Sequence, residues 1–312
     1  MAGLAIALLC RTAMSPRTPV RAKGLADGLA AFAHVSPATD SAEDVTPRAK
    51  SPAPSSASRK RKRSFTLAEA PAGWRATWDL ILELRADRTA VVDTMGCESA
   101  AASCADEGER AFHSLVSLML SSQTKDTTNA MVMKRLREHG LSVASVSAMS
   151  EDTLRDLIWG AGFGNNKAKY IKAATQIIVE QHGGVPPATM DGLLALPGVG
   201  PKMALIQLNV VHGLCVGISV DTHVHRIANQ LRWTGDEGTS MPEKTREALE
   251  SWMPQDQWPC VNVVLVGLGQ EVQTEKAKLL RKCLACSDPP RALELLATLG
   301  VNVERERAKA QL

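Results

Sequence analysis

The stretch TMDGLLALPGVGPKMALIQLNVVH, residues 189–212, decides the fold. An apolar segment leads into the turn LPGVG, and a second apolar segment opens with Pro201, a residue favoured at the first position of a helix. Gly198 and Gly200 allow the backbone to turn tightly, because no Cβ stands in the way. The pattern therefore predicts a helix–hairpin–helix.

The turn of this hairpin is a candidate anion site. We expect the amides of Val199 and Gly200 to point outward at a helix N-terminus, where free N–H groups and the helix dipole favour a phosphate. Leu196, Gly198, Val199 and Gly200 are accordingly predicted to bind the DNA backbone. The alternative is an ordinary glycine-rich helix connection.

The chain around the hairpin has helical periodicity. In residues 111–122, apolar side chains recur at steps of three and four, at Phe112, Leu115, Leu118 and Met119. Strand alternation is scarce, and only 4% of the residues are aromatic, so aliphatic side chains must fill the interior. We expect an all-α fold, with further helices at 125–138, 151–159, 165–182, 189–195, 200–213, 221–232, 242–252 and 258–270.

The first fifth of the 312 residues differs from the rest. Residues 1–66 hold 11 Lys and Arg against 4 Asp and Glu, and the remainder holds 25 against 29. Its Ser, Pro and Ala content predicts a disordered basic tail, 1–74. The acid-poor start of the chain is typical of a mitochondrial presequence, and RKRKR at 59–63 is typical of a nuclear address or a phosphate-binding arm.

Seven cysteines at irregular spacing form no disulfide framework, which favours a reducing compartment. Four of them are predicted to be small apolar packing residues: Cys97, Cys104, Cys215 and Cys260. A metal site at His223 and His225 is not expected, because residues i and i+2 of a helix do not face each other. No run of apolar residues is long enough for a membrane span.

A lysine and an aspartate near the hairpin can carry chemistry. Lys202 follows the turn, and Asp221 opens the predicted helix in GISVDTHVHRIANQLRW, residues 217–233. An amine beside a bound phosphate, with a carboxylate nearby, could attack the sugar of a nucleotide whose base is leaving. Two simpler roles stay open at this point: Lys202 neutralises a phosphate, and Asp221 is an N-cap.

Four motifs in this order and spacing resemble the endonuclease III family of DNA glycosylase/AP lyases, especially its eukaryotic members. They are SSQTKD (121–126), GFGNNKAKYI (162–171), LPGVGPKMA (196–204) and VDTHVHRIANQLRW (220–233). The resemblance covers about residues 110–270. It implies two helical lobes, a six-helix lobe at 104–216 and a second lobe at 75–103 plus 217–290, with DNA between them and a C-terminal extension at 291–312.

The resemblance also implies roles for individual residues. Lys202 matches the family's nucleophile and Asp221 its catalytic aspartate, in an enzyme that excises oxidised pyrimidines and cleaves the strand 3′ to the abasic site by β-elimination. Gln123 matches the residue that fills the gap left by the flipped nucleotide. A cap at the end of the preceding helix is the alternative for Gln123. The partner would be double-stranded DNA with damaged bases or abasic sites, bound by a monomer away from any membrane.

Basic side chains near the motifs are candidates for contacts with the DNA backbone. Lys125 and Arg226 are the two that we assign to DNA binding, and a solvated surface charge is the alternative for every residue of the set. The full set is Lys125, Lys167, Lys169, Lys172, Arg226 and Arg232.

Three other functions compete. Adenine glycosylases of the superfamily lack a lysine at the position of Lys202, and oxidised-guanine glycosylases differ from VDTHVHR and SSQTKD. A noncatalytic helix–hairpin–helix DNA-binding protein is a rival from another class, and the pair Lys202 and Asp221 argues against it.

One departure from the family concerns its iron–sulfur loop. Most members end in four cysteines spaced about C-x6-C-x2-C-x5-C that hold a [4Fe–4S] cluster. This chain offers only Cys283 and Cys286, Lys276 stands before them in place of a cysteine, and no cysteine follows them. Two thiolates cannot close a four-ligand cluster. We therefore expect no cluster, with the basic stretch 276–282 meeting DNA as a helix or loop without it.

Overall fold

A computed structural model describes residues 69–97, 104 and 106–311. The tail segments 1–35 and 59–63 lie outside these residues. In the described part all regular structure is helical, as expected, with no strand. The α-helices are α1 (Trp74–Leu84), α2 (Val91–Met95), α3 (Glu107–Ser121), α4 (Asp126–Glu138), α5 (Val143–Ala148), α6 (Glu151–Leu157), α7 (Gly164–His182), α8 (Met190–Leu194), α9 (Pro201–His212), α10 (Thr222–Gln230), α11 (Pro242–Glu250), α12 (Trp258–Thr274), α13 (Lys276–Ala285), α14 (Pro289–Thr298) and α15 (Val303–Ala310).

The members of one cluster of buried apolar side chains all come from a single stretch of the sequence, from Phe112 to Leu208. We call this cluster the contiguous core. Helix α9 packs on α3, and α7 packs on α5 and α6. A buried amide also ties α9 to α3, since Gln207 Nε2 donates to the Ala111 carbonyl at 2.8 Å. Residues 111–120 of α3 are buried on every side of the helix, not on one face only, because the other helices of this core enclose them.

A second cluster, the split core, joins two distant parts of the chain: residues 78–84 of α1 and residues 218–301. Tryptophans fill much of it. Three edge-to-face pairs with ring centroids 5.1–6.0 Å apart connect Trp74, Trp252, Trp233 and Trp78. Helix α14 packs here as well, so residues 292–301 are part of this core.

Buried charges lie beside the split core. Arg85, at the end of α1, pairs with Asp93 of α2 and with Glu271 of α12, whose Oε1 lies 3.1 Å from Arg85 Nη1. Lys282 of α13 also donates to Glu271, at 2.7 Å. A Cβ on Gly267 would overlap the Arg85 guanidinium, so only glycine leaves room for it. This network links two pairs of consecutive helices, α1 with α2 and α12 with α13, that are far apart in sequence.

No helix among the described residues combines the length and the apolar character needed to cross a membrane.

Candidate active site

A cleft of about 760 Å³ is lined by residues of helices that carry the two cores, among them α3 and α9 of the contiguous core and α12 of the split core. Lys202 from α9 and Asp221 from the start of α10 both line it, together with Gln123 and Lys125 from the turn between α3 and α4. Four of the residues predicted for function from the sequence are thus brought together. The hairpin turn and Arg226 do not line this cleft.

The hairpin positions Lys202 in the first turn of α9. Gly200 is the N-cap and Pro201 the first helical residue, and no side chain caps this end of the helix. The amides of the first turn of a helix have no partner within it, so an uncapped N-terminus is open to an anion. Gly198 has φ of +81°, and a Cβ there would lie 2.8 Å from Cβ of Tyr170. The turn therefore requires glycine for both conformation and space.

The hairpin prediction needs one correction. The Val199 amide is not directed outward, because it donates to the Leu196 carbonyl at 3.1 Å within the turn. The side chains of Leu196 and Val199 are buried in the contiguous core. The amides available to a phosphate are those of Gly200, Lys202 and Met203 at the helix start, since Pro201 has no N–H, and not that of Val199.

Asp221 caps helix α10 and faces the cleft. Its Oδ1 accepts a hydrogen bond from the Val224 amide at 2.8 Å, so the capping role is real. The segment before it is fixed on both sides: Ser219 donates to the Lys202 carbonyl at 3.5 Å, and Asn262 of α12 donates to the Ser219 carbonyl at 2.9 Å. The backbone thus holds the carboxylate and the amine in one cleft.

His223 is a cleft residue that sequence reasoning dismissed together with the metal hypothesis. Burial lowers its pKa, against the opposing effect of the Asp221 charge, so the imidazole is neutral near pH 7. A Cβ on Gly269 of α12 would overlap the His223 ring. His225 points elsewhere, with Nδ1 2.6 Å from Thr245 Oγ1. The signal for His223 was its place two residues after Asp221.

A polar bridge forms part of the cleft wall and was also missed. Gln270 of α12 accepts from the Val92 amide at 2.8 Å and donates to Asp126 at 2.7 Å. Asp126 begins α4, so this one side chain ties α2, α4 and α12 together. The bridge joins positions 144 residues apart, and no local pattern reveals it.

Gln123 stands at the edge of the cleft on a strained turn. It is exposed and has φ of +51°, a left-handed conformation that is uncommon outside glycine. Ser122, and not Gln123, is the C-cap of α3. Beside it, Phe163 is 65% exposed and also has positive φ. Gly162, which precedes Phe163, lies directly against the turn that bears Gln123. A Cβ on Gly162 would overlap the Gln123 carbonyl oxygen, so only glycine fits there.

Some of the basic candidates are engaged inside the protein. The ammonium groups of Lys167 and Lys172 each donate to three acceptors of the chain itself, so neither is a solvated surface charge and their hydrogens are engaged within the protein. Lys282 is held by Asp87 and Glu271, which removes it from the basic stretch predicted to meet DNA. That stretch begins helix α13. Lys125 remains exposed at the start of α4.

The cysteines of the described residues do not form a four-thiolate site. Cys283 is fully buried, and burial raises the pKa of its thiol to about 12. Cys286 donates to the Cys283 carbonyl at 3.1 Å. Within the part of the chain that the structure describes, the only group able to hold a metal is Cys104, Glu109 and His113. These residues do not fit a [4Fe–4S] cluster.

Cys104 is more than the apolar packing residue we expected. Its Sγ lies 3.1 Å from His113 Nδ1, and the other ring nitrogen of His113 lies 2.7 Å from the Leu141 carbonyl oxygen. Cys97 lines the cleft, where burial raises the pKa of its thiol.

Comparison with known sequences agrees with this geometry. Residues 116–255 match the family model of the HhH-GPD superfamily base excision DNA repair proteins. The chain is 44% identical over 214 residues to endonuclease III-like protein 1 of Gallus gallus, a match that covers 69% of this chain and 76% of the relative. With the Bos taurus protein of that name the identity is 45% over 216 residues, covering 69% and 70%.

Solved structures resemble the fold. A non-covalent endonuclease III–DNA complex superposes with a TM-score of 0.57 at 21% identity, covering 76% of this chain and 97% of that one. A trapped endonuclease III–DNA covalent intermediate gives 0.52 at 23% identity, covering 62% and 83%.

Proposed function

The chain belongs to the endonuclease III family, and from that premise we propose how its own residues carry out the family's reaction. The protein is a bifunctional DNA glycosylase and AP lyase of base excision repair that acts on damaged double-stranded DNA. The assignment of roles to single residues, and of the lesion class, is our proposal.

Lys202 is the nucleophile. Its Nζ forms a bond to C1′ of the damaged nucleotide while the bond from C1′ to the base breaks, and the base leaves with the electron pair and takes up a proton. Transfer of a proton from Nζ to the ring oxygen O4′ then breaks the C1′–O4′ bond, which opens the sugar and leaves a Schiff base that draws electrons from it. Loss of a proton from C2′ then expels the 3′ phosphate, which cuts the strand 3′ to the site.

Asp221 assists proton transfer and stabilises the positive charge that develops on the sugar. The single observation that carries this proposal is the shared cleft: the Lys202 amine and the Asp221 carboxylate line one cavity, large enough for an extrahelical nucleotide, next to an uncapped helix N-terminus. The cap that Asp221 forms supports the role, because it fixes the carboxylate before substrate arrives.

The surroundings suit DNA with one nucleotide removed from the stack. Gln123 offers both a donor and an acceptor to the unpaired partner base, and Phe163 beside it can stack on a base. The N-terminus of α9, with Gly198 and Gly200 in the preceding turn, binds a phosphate, and Lys125 adds a charge at the cleft edge. Oxidised pyrimidines are the expected lesions, because the motifs VDTHVHR and SSQTKD are similar to those of the pyrimidine branch of the family. A lesion that pairs poorly also leaves the stack at lower cost.

The second lobe is held without an iron–sulfur cluster. In the region of Cys283 and Cys286 the packing comes from apolar side chains, among them Leu279, Leu280 and Leu296. We expect purified protein to lack stoichiometric iron and sulfide and to keep its activity with chelators. About four irons and four sulfides per chain would overturn this inference.

The tail directs the protein to the nucleus, the mitochondrion or both, on the evidence of RKRKR and the acid-poor start. A reporter fused to residues 1–35 tests the mitochondrial address, and diffuse fluorescence counts against it. Replacement of RKRKR by alanines in the full chain tests the nuclear one.

Borohydride trapping tests the central assignment. Wild-type protein should form a covalent adduct with abasic duplex DNA, and Lys202→Gln should bind the same DNA but form none. Lys134→Gln is the control, because Lys134 is an exposed lysine of α4 that pairs with Glu138 away from the cleft. Trapping of Lys202→Gln at the wild-type yield would refute the role of Lys202.

A further inference from the structure

Lys167 is a buried lysine that the proposed chemistry does not use. It lies in α7 and is only 5% exposed, with Ala168 and Ile171 of the contiguous core beside it in the helix. Among the described residues it forms no ion pair. Burial lowers its pKa to about 8. Burying an ammonium without a counter-ion costs stability, so an apolar residue would serve the packing better.

The three hydrogens of the ammonium all go to one short segment. Lys167 Nζ donates to the Leu120 carbonyl at 2.6 Å, to the Ser122 carbonyl at 2.6 Å and to Thr124 Oγ1 at 2.8 Å. The carbonyls at the end of a helix lack partners and carry the negative end of the dipole, so a lysine is well suited to cap them. Lys167 thereby closes the C-terminus of α3.

The segment held in this way is the one that bears Gln123. Thr124 Oγ1 accepts a second hydrogen bond, from the Gly162 amide at 3.2 Å, which joins this turn to the one that bears Phe163. Gly162 lies directly against the Gln123 carbonyl. Lys167, Thr124 and Gly162 thus clamp two exposed residues, both with positive φ, in one fixed arrangement.

We propose that Lys167 is a positioning residue: it holds the turn 122–124 so that Gln123 enters the duplex where the damaged nucleotide has left. This inference rests on the proposed function of Gln123 and adds the residue that sets its position. Lys167 acts through the backbone of the turn and touches neither DNA nor the reacting atoms.

The test compares duplex and single-stranded substrates, since only a duplex has a partner base for Gln123 to meet. Lys167→Met keeps the length of the side chain and removes the ammonium. We expect it to slow excision of thymine glycol from a duplex by about tenfold or more, as a misplaced group does. Borohydride trapping on a single-stranded abasic oligonucleotide should stay within about twofold of wild type.

Lys172→Met is the matched control. Lys172 lies on the same helix and also donates to three backbone carbonyls, but they belong to the end of α5 and to Met149. It should leave the ratio of duplex to single-stranded activity unchanged. A loss of stability alone would lower both activities together in either variant.

A double-mutant cycle completes the test. In a Gln123→Ala background, Lys167→Met should cause no further loss on the duplex, because the residue it positions is already gone. Equal losses on both substrates, or full additivity with Gln123→Ala, would overturn the proposal. If Lys167→Met does not fold, Lys167→Arg goes through the same cycle with the same expectations. Failure of the wild type to trap abasic DNA would instead refute the proposed function itself.

Discussion

The contiguous core and the split core differ in how far apart along the chain their parts lie. The first is assembled from helices that follow one another from α3 to α9, whereas the second joins α1 to residues 218–301. The first is built mainly of apolar side chains from one stretch of the chain, and the second contains tryptophans and has buried charges beside it. Local patterns therefore describe the first core well, while the second depends on pairs that only the folded chain brings together.

Helices of both cores line the cleft, and the separate roles of the residues that they contribute can be tested there. Lys202 comes from the contiguous core side, and Asp221 from the side of the split core. Asp221→Asn should slow base excision by about 10²–10⁴-fold, the range typical for loss of a proton-transfer group. Single-turnover excision on a lesion duplex measures this.

The same variant separates chemistry from capping. Asparagine is also a good N-cap, so the free energy of unfolding should fall by less than about 1 kcal/mol. If the rate is largely kept and only stability falls, Asp221 is a cap and nothing more.

The next largest effect concerns the buried charges of the split core. Arg85→Met removes the guanidinium that joins Asp93 to Glu271. Removal of one member of a buried ion pair costs about 3–5 kcal/mol, and the lower end is expected here because Asp93 keeps Arg88 and Glu271 keeps Lys282. Denaturant unfolding should show this loss. Arg75→Met is the control, because its pair with Asp79 on the same helix is exposed and worth about 1 kcal/mol or less. An equal fall in the free energy of unfolding of both variants would mean that burial of the network does not increase its contribution to stability.

A smaller effect is expected in the contiguous core at the hairpin. Gly198→Ala introduces both a strained φ and a Cβ too close to Tyr170, and should cost about 1–3 kcal/mol and weaken binding to DNA. Gly140→Ala is the control, since it has φ of +86° with no atom within 4 Å of the new Cβ. Its free energy of unfolding should fall by about 1 kcal/mol, and its affinity for DNA should stay unchanged. If the two variants bind DNA with equal affinity, the hairpin is not part of the DNA interface.

The smallest effect separates the tail from both cores. Residues 67–312 carry a small acidic excess, so the basic excess of the chain lies in residues 1–66. Deleting them should leave excision on short duplexes intact and reduce the salt dependence of binding, by about 0.9 in slope for each phosphate that the tail neutralises. An unchanged slope would limit the tail to targeting.

The sequence was most informative where structure is local. The predicted helices around Leu118, Ile178 and Leu208 agree with α3, α7 and α9, because periodicity and caps act over a few residues. The roles of Lys202 and Asp221 came from the family resemblance and stay predictions, and the structure places both residues in one cleft.

Nonlocal contacts were out of reach. Lys167 contacts Ser122 across 45 residues, and Arg85 contacts Glu271 across 186 residues. Neither contact could be predicted from residues that are neighbours in the sequence. The need for two glycines in α12 could not be predicted from the sequence either. Gly267 and Gly269 lower helix propensity, and their reason is visible only once Arg85 and His223 are packed against them.

The distribution of tryptophans gives the molecule a built-in optical signal. Five of the six belong to the split core or pack against it, and several of their rings stack edge to face. The sixth, Trp159, is 78% exposed on the turn that leads to Phe163. Intrinsic fluorescence therefore has two sources: a blue-shifted emission that fades when the split core unfolds, and a red-shifted one that a small quencher such as acrylamide reaches first. Shielding of the second by bound DNA would report occupancy of the turn without any attached dye.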